Sequence, residues 1–398
     1  MSVRISDRVS AMSPSITLAI DSKAKAMQAD GIDVVNFGAG EPDFDTPEAI
    51  KNAAIKALHE GKTKYCPASG LLALKKALAL KFEKDNGLKY TPSQISINVG
   101  GKHALYNATT SIINSGDEII IPAPYWVSYY EMVRAASGVP VVLPACTSRN
   151  FKITPEQLSV AVTPKTVAVL INSPSNPTGA VYTKDELLAL SKVIIEKDIF
   201  CISDELYEKM VYDGTEHVSI ASLPGMFERT LTVNGFSKAY SMTGWRLGYC
   251  AGPQNLINAI NILQSHSTSN ATTFVQYAAL EALKLPAEIV ADFVLKFDKR
   301  RKLVLDLINE IPNVTCSIPK GAFYVFPDFS AYYGKTFGGK SIKSSMELAA
   351  YLLEEARVSV VPGAAFGMDN YLRISYAISE DRIIEGLHRI AQALKKLD

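Results

Sequence analysis

The chain has 398 residues, 47% hydrophobic and 20% charged, the balance of a globular protein long enough for one large and one small domain. Its 41 basic and 40 acidic residues leave a net charge of +1, and no like-charge block or basic stripe favours nucleic acid or an anionic membrane surface as a partner. No apolar stretch approaches the ~20 residues that span a bilayer, residues 1–21 lack the apolar core of a secretory signal, and five scattered cysteines without a C-x-x-C pair read as reduced thiols, which together predict a soluble cytoplasmic protein.

An arm precedes a first predicted helix over 17–30, which Gly31 ends, and 32–37 reads as a short strand. Gly38-Ala39-Gly40-Glu41-Pro42-Asp43 is a loop, since two glycines and a proline suit neither helix nor strand. Thr46-Pro47-Glu48 opens the next helix with a cap, a proline at the first helical position and an acid in the first turn. A further helix covers 72–86 and stops at Gly87. From there strands at 95–99, 118–121, 139–143, 167–171, 199–203, 231–233 and 247–251 are interleaved with helices at 101–114 and 125–136 and one from the Thr183-x-x-Glu186 capping box to about Lys197. The continuous apolar run at 167–171 suits a strand covered on both faces. The alternation predicts an α/β domain with a mainly parallel sheet over 45–290. Helices at 256–265, 273–285 and 287–311 lead into a tail of strands (323–326, 358–361, 371–375) and helices (346–356, 380–397), a smaller α+β domain of 291–398 that residues 1–44 join.

Ligands of open α/β sheets bind at the carboxyl ends of the strands, and the unusual polar residues fall there. Val99-Gly100-Gly101-Lys102 ends one strand and opens a helix, so backbone N–H groups at Gly101 and Lys102 can seat a phosphate; a plain tight turn is the other reading. It is no Walker A loop, because Ser96 and His103 stand where that motif needs Gly and Ser/Thr. Trp126, after Ala123-Pro124-Tyr125, offers a flat face to an aromatic ring or simply packs in the core. Asn172-Ser173-Pro174-Ser175-Asn176-Pro177-Thr178-Gly179 is a rigid loop carrying two amides. Asp204 and Tyr207 follow another strand, as a partner pair for a cationic ligand atom and its neighbour or as a helix cap and a core tyrosine.

Lys238 lies past the strand 231–233, between Ser237 and, three residues on, Ser241, with no acid nearby in sequence and Arg246 eight residues later. Burial and a neighbouring cation both lower a lysine's pKa and free its amine as a nucleophile. The chemistry such an amine does best is Schiff-base formation with a carbonyl, which points to pyridoxal 5′-phosphate on Lys238 with its phosphate on Arg246; a surface lysine in a loop is the other reading. Arg373, in the strand 371–375, needs an anion: a ligand carboxylate or an internal salt bridge.

Six stretches, in order along nearly the whole chain, resemble the class I aminotransferases of fold type I, the pyridoxal-phosphate-dependent aspartate aminotransferase superfamily. They are 38–44, Gly61-Lys62-Thr63-Lys64-Tyr65, 172–179, Asp204-x-x-Tyr207, Ser237-Lys238 through Arg246, and the segment around Arg373. Gly100-Gly101-Lys102-His103 and Pro124-Tyr125-Trp126-Val127-Ser128-Tyr129 are similar to the bacterial and cyanobacterial subgroup. The resemblance implies a large cofactor-binding domain with a mixed sheet and a smaller α+β domain. It implies Lys238 as the cofactor-bound amine and proton carrier, Asp204 on the pyridine nitrogen, Tyr207 and Asn176 on the ring's phenolic oxygen, and Trp126 against the ring. Arg246, Ser237 and the Gly101 and Lys102 N–H groups would hold the phosphate, with Tyr65 reaching the neighbouring subunit's phosphate in a homodimer. Arg373, with Gly40 and Asn176, would bind the substrate α-carboxylate, and Lys102 would recognise a distal carboxylate.

The chain departs from the family pattern in three places. Gly235 stands where a serine is common, three residues before the lysine; no counterpart of the partner-borne arginine for the distal carboxylate is present; and Ser13, not lysine, precedes Pro14-Ser15, which lowers the expectation of prephenate activity. The expected reaction is transfer of an amino group between L-aspartate and 2-oxoglutarate, with small amino and keto acids as the partners. Aromatic, kynurenine or prephenate aminotransferases and lyases of the same fold share most of these residues. A non-catalytic regulator would carry a DNA-binding domain, for which too few residues precede Gly40. A hydrolase reading fails because Ala239 replaces the last glycine of G-x-S-x-G. Five scattered histidines argue against a metal.

Overall fold

The computed structural model describes residues 3–398. Its centre is a seven-stranded sheet of β1 (Ile95–Asn98), β2 (Glu118–Ala123), β3 (Val139–Pro144), β4 (Thr166–Asn172), β5 (Phe200–Asp204), β6 (Thr230–Gly235) and β7 (Gly248–Ala251). The spatial order is β1-β7-β6-β5-β4-β2-β3. Only β7 runs antiparallel to its neighbours; the remaining pairs are parallel.

Alternate residues of the strands enter different cores, as a pleated sheet covered on both faces requires. Ile119, Ile121, Leu170, Ile202 and Val233 pack with Ala104, Leu105, Ala108 and Ile257 on one side. Ile120, Val169, Ile171 and Cys201 pack with Leu158, Leu187, Leu190 and Ile194 on the other. Pro140 and Pro144 lie in β3, at the sheet edge where a missing N–H is tolerated. The register sets Asn172 level with Asp204 and Asp204 level with Val233, so β4, β5 and β6 end together along one rim.

A second core gathers the tail. Strands Val361–Pro362, Leu372–Ser375 and Tyr324–Val325 form a three-stranded antiparallel sheet. Val35–Asn36 pairs in parallel with Val358–Ser359, and Val35 and Phe37 are buried with Phe297, Val304, Leu352 and Leu387. The N-terminal segment is thereby sewn onto the C-terminal part. The helix Ala287–Asn309 links the halves, and its Arg300 grips Asp43 through two bonds of 2.7 and 2.9 Å.

Some expectations need correction. Pro47, not Thr46, stands at the N-cap position of the helix Glu48–His59, which has no side-chain cap, and Thr46 Oγ1 donates instead to the Ser241 carbonyl at 2.6 Å. A helix at Pro155–Ala161 went unread although Thr154 and Gln157 form a complete capping box. The hairpin of Thr336–Phe337 and Lys340–Ser341 was also missed, its two-residue strands being too short for any alternation to register. Among the described residues no helix is long and apolar enough to cross a membrane.

Candidate active site

A cavity of about 390 Å³ opens at the common rim of β4, β5 and β6. The loop 38–41 and Thr17, Leu18, Asp21 and Lys25 of the helix Ile16–Ala29 close one side, and Tyr324 and Arg373 come from the C-terminal sheet. Gly40, Gly101, Lys102, Trp126, Asn176, Asp204, Tyr207, Ser237, Lys238, Arg246 and Arg373 all line it. Tyr65 does not: in the single chain it is 91% exposed.

Lys238 follows β6, and its ammonium donates to the Gly40 carbonyl. Its Nζ lies 5.7 Å from the Tyr207 ring centre and 5.6 Å from that of Phe323. Burial brings its pKa down to about 8, with Arg373 and Arg246 adding to the fall. The absence of an acid was true of the sequence only: Glu41 and Asp204 face the amine in space and resist the shift.

Asp204 ends β5 and is buried. Its Oδ2 accepts from Tyr129 Oη at 2.5 Å and its Oδ1 from the Leu206 N–H at 3.2 Å. Burial pushes the carboxyl up to about 6, against the pull of the Tyr129 and Leu206 donors. Tyr207 Oη shares a 2.8 Å hydrogen bond with Tyr324 Oη. On β4, Asn172 Nδ2 donates to the Asp204 carbonyl at 3.0 Å and Asn172 Oδ1 accepts from the Asn176 N–H at 2.8 Å. One amide thus ties two strand ends and the Pro174–Pro177 loop together.

Arg373 is 2% exposed. Its Nη1 donates to Asn176 Oδ1 at 3.0 Å and its Nη2 to the Gly38 carbonyl at 2.7 Å. The Gly40 carbonyl is taken by Lys238. Arg373 Nε has no partner, and no carboxylate pairs with this guanidinium among the described residues. The internal salt bridge left open by the sequence is therefore absent. A buried guanidinium with an unpartnered donor at a cavity wall is a seat for an anion.

At the other end, the segment 237–246 is cross-tied to 41–46. Ser241 Oγ donates to the Phe44 carbonyl, Trp245 Nε1 to Thr46 Oγ1 at 2.9 Å, and Thr243 Oγ1 to Glu41 Oε2 at 2.7 Å. These bonds hold Ser241 and Arg246 in the left-handed region at φ 52° and 53°, a conformation side chains resist unless the surroundings impose it. Arg246 Nη1 donates to the Thr243 carbonyl at 2.8 Å. A Cβ on Gly100 would lie 2.7 Å from Arg246 Nη2, so that glycine lets the guanidinium reach the start of the helix Gly101–Ile112. Lys102 Nζ stands 4.8 Å from the Trp126 ring centre, and burial followed by Arg246 lowers its pKa. Gly235 is closely packed, a Cβ there falling 3.2 Å from Gly248 Cα and the Leu247 carbonyl.

The donor set fits a compact molecule with an aldehyde, a protonated ring nitrogen and a phosphate: a free amine on Lys238, a buried carboxylate on Asp204, and Arg246 beside a helix start. Tyr129 and Tyr324 belong to the site yet carried no role in the sequence reading. A tyrosine on a helix face or in a short strand looks like core until its hydroxyl partner is known. One histidine does meet two carboxylates, Glu205 and Glu208 with His217, their ligand atoms within 4.8 Å. The cation already on Glu208 is Lys81.

The family model described as aminotransferase class I and II matches residues 32–390. A protein named aspartate/prephenate aminotransferase from Cereibacter sphaeroides is 50% identical over 389 residues, which cover 97% of each chain. The crystal structure of an aspartate aminotransferase from Rhizobium meliloti superposes with a TM-score of 0.96 at 44% identity over 100% of both chains. That of an aspartate aminotransferase from Thermus thermophilus with maleate gives 0.93 at 43% identity, covering 98% of this chain and 100% of that one. From the strand-end cavity to the match along 32–390, the chain belongs to the aminotransferase class I and II family.

Proposed function

We propose that this protein transfers the amino group of L-aspartate to 2-oxoglutarate, in a ping-pong exchange that depends on pyridoxal 5′-phosphate. The cofactor, when bound, supplies the electron sink that lets an amino acid release its α-proton. The observation that carries the reading is a low-pKa amine, Lys238, facing a buried carboxylate on one side and a buried guanidinium without an anion on the other. Lys238 holds the cofactor and then moves the proton as base and acid. Asp204 keeps the ring nitrogen protonated. Tyr207 and Asn176 donate to the ring's oxygen and Trp126 covers its face. Arg246, Ser237 and the Gly101 and Lys102 N–H groups bind the phosphate. Arg373 takes the α-carboxylate, with Asn176 beside it and Gly40 shaping the same wall.

The dicarboxylic preference rests on Lys102, an ammonium on the cavity wall against Trp126, and on the relatives named aspartate aminotransferase, one of them solved with maleate, a dicarboxylate. The relative named aspartate/prephenate aminotransferase makes prephenate the second acceptor to test. We infer a cytoplasmic homodimer in which the partner subunit's Tyr65 reaches the phosphate, supported by the full exposure of that ring in one chain. Residues 45–290 form its cofactor domain and residues 1–44 with 291–398 its smaller one, a division supported by the core of the tail, to which 45–290 contributes Tyr207, Met210 and Tyr212.

The purified protein should absorb near the visible–ultraviolet border, with the band shifting on addition of aspartate. Lys238→Ala should lose both the band and turnover. Transamination by that variant at the wild-type rate would falsify the reading.

A further inference from the structure

We propose that Tyr129 is the positioning residue that aims the Asp204 carboxylate and keeps it charged against the cofactor's ring nitrogen. The inference deepens the proposed function and rests on its assignment of Asp204.

Tyr129 lies on the helix Ser128–Ala135, is 1% exposed, and donates its hydroxyl to Asp204 Oδ2 at 2.5 Å. The bond joins a helix to a strand end 75 residues away. With Leu206 N–H on Oδ1 at 3.2 Å, each carboxylate oxygen has one fixed donor. The carboxyl plane is thereby set before any ligand arrives. The same ring meets Trp126 edge to face, with centroids 5.3 Å apart, so one side chain braces both the carboxylate and the aromatic wall of the cavity.

The charged and titratable groups facing Asp204 are few. Tyr129 comes from the helix, Glu205 and Tyr207 from its own segment, and Lys238 from the loop after β6. Burial works against the carboxylate and Glu205 adds to that, while the Tyr129 hydroxyl, the Leu206 N–H and Lys238 work for it. Lys238 is the group that a bound aldehyde would engage. Tyr129 is then the side-chain donor left to hold the charge. Burial, then the negative charge of Asp204, pushes the Tyr129 phenol far up, so it stays a donor across the working pH range.

Tyr129→Phe keeps the ring against Trp126 and removes only the donor. Thermal unfolding of the full-length, cofactor-free chain should fall by about 4 °C at pH 8 and by less than half of that at pH 5, where the carboxyl is neutral in either protein. In an Asp204→Asn background the same substitution should show no such pH dependence. In the holoenzyme kcat should fall about tenfold with the KM for aspartate within about twofold, since the residue acts through Asp204 and not on substrate. An equal loss of stability at both pH values, or the same growth with pH in the Asn background, overturns the proposal. So does an unchanged kcat beside the expected thermal pattern. Failure of the proposed function reads out separately, as a Lys238→Ala enzyme that still transaminates.

Discussion

Arg373, Lys238 and Lys102 are three cations in one cavity, and they differ in what answers them. Arg373 has a carbonyl and an amide as partners and no paired carboxylate among the described residues, the setting in which we propose that it takes a substrate carboxylate. Arg373→Ala should cut kcat/KM for aspartate on the order of 100-fold or more, the scale of a lost charge-assisted bidentate contact, as steady-state kinetics would show. Lys102→Ala should lose activity selectively: aspartate and glutamate should suffer while phenylalanine and alanine keep their rates in a donor panel. Lys238 must be neutral to attack a carbonyl. With its pKa at about 8, the rate at which cofactor-free protein captures pyridoxal 5′-phosphate should rise with pH and level off above that value. A flat stopped-flow profile from pH 6 to 9 would contradict the assignment. Each of these side chains was legible in the sequence as a type of residue in a strand or just past one. Their partners were not. Glu41 lies far from Lys238 along the chain yet faces it in space, and the carbonyl on Arg373 belongs to Gly38, 335 residues away.

Two element junctions hold the site in place. β7 runs so close to the start of the helix Gly101–Ile112 that a Cβ on Gly248 would lie 2.4 Å from Gly100 C and Gly101 N, both backbone atoms. Gly248→Ala should cost about 3 kcal/mol in denaturant unfolding and weaken cofactor binding as well, because the turn at Gly100-Gly101, which we propose binds the phosphate, must move. Behind the rim, β5 continues into 205–208, which carries a buried ionic network. Glu205 accepts from Ser203 and Ser219 at 2.8 and 2.7 Å and meets His217 Nε2 at 3.1 Å; Glu208 is paired with Lys81 and accepts from Asn86 at 3.0 Å. Burial alone would raise the Glu208 pKa, but Lys81, His217 and Lys209 outweigh it and hold the carboxyl down to about 2. A carboxyl with a lowered folded-state pKa stabilises fully above its ordinary value of 4.5 and loses that contribution as pH falls toward 2. Acid unfolding should therefore sharpen in that window. Lys81→Met, which strands the buried carboxylate, should cost about 3–5 kcal/mol at pH 7 and much less at pH 3. Helices such as Leu72–Asn86, closed by a left-handed Gly87, were readable because stop signals are local. The cap at Thr46 misled because its hydroxyl is spent on Ser241, 195 residues away.

For the whole molecule, the clearest expectation is a shared site. If Tyr65 of one subunit serves the site of the other, mixing the inactive variants Tyr65→Ala and Lys238→Ala should restore roughly a quarter of wild-type activity. About half of randomly assorted dimers are hybrids, and each hybrid carries one intact site of its two. Activity that stays at the sum of the two variants would place Tyr65 in its own subunit's site or in none. The amino-acid sequence determined the alternation of strands and helices, the segments that meet at the strand ends and the reactive types they carry, because periodicity, capping and turn residues act over a few positions. Tertiary structure alone decided the parallel register that levels Asn172 with Asp204, the N-terminal strand sewn onto the C-terminal part, the missing anion of Arg373 and the hydroxyl of Tyr129 on Asp204. Those features depend on which distant groups compete for the same buried donor or acceptor, and that competition is settled only when the chain has packed.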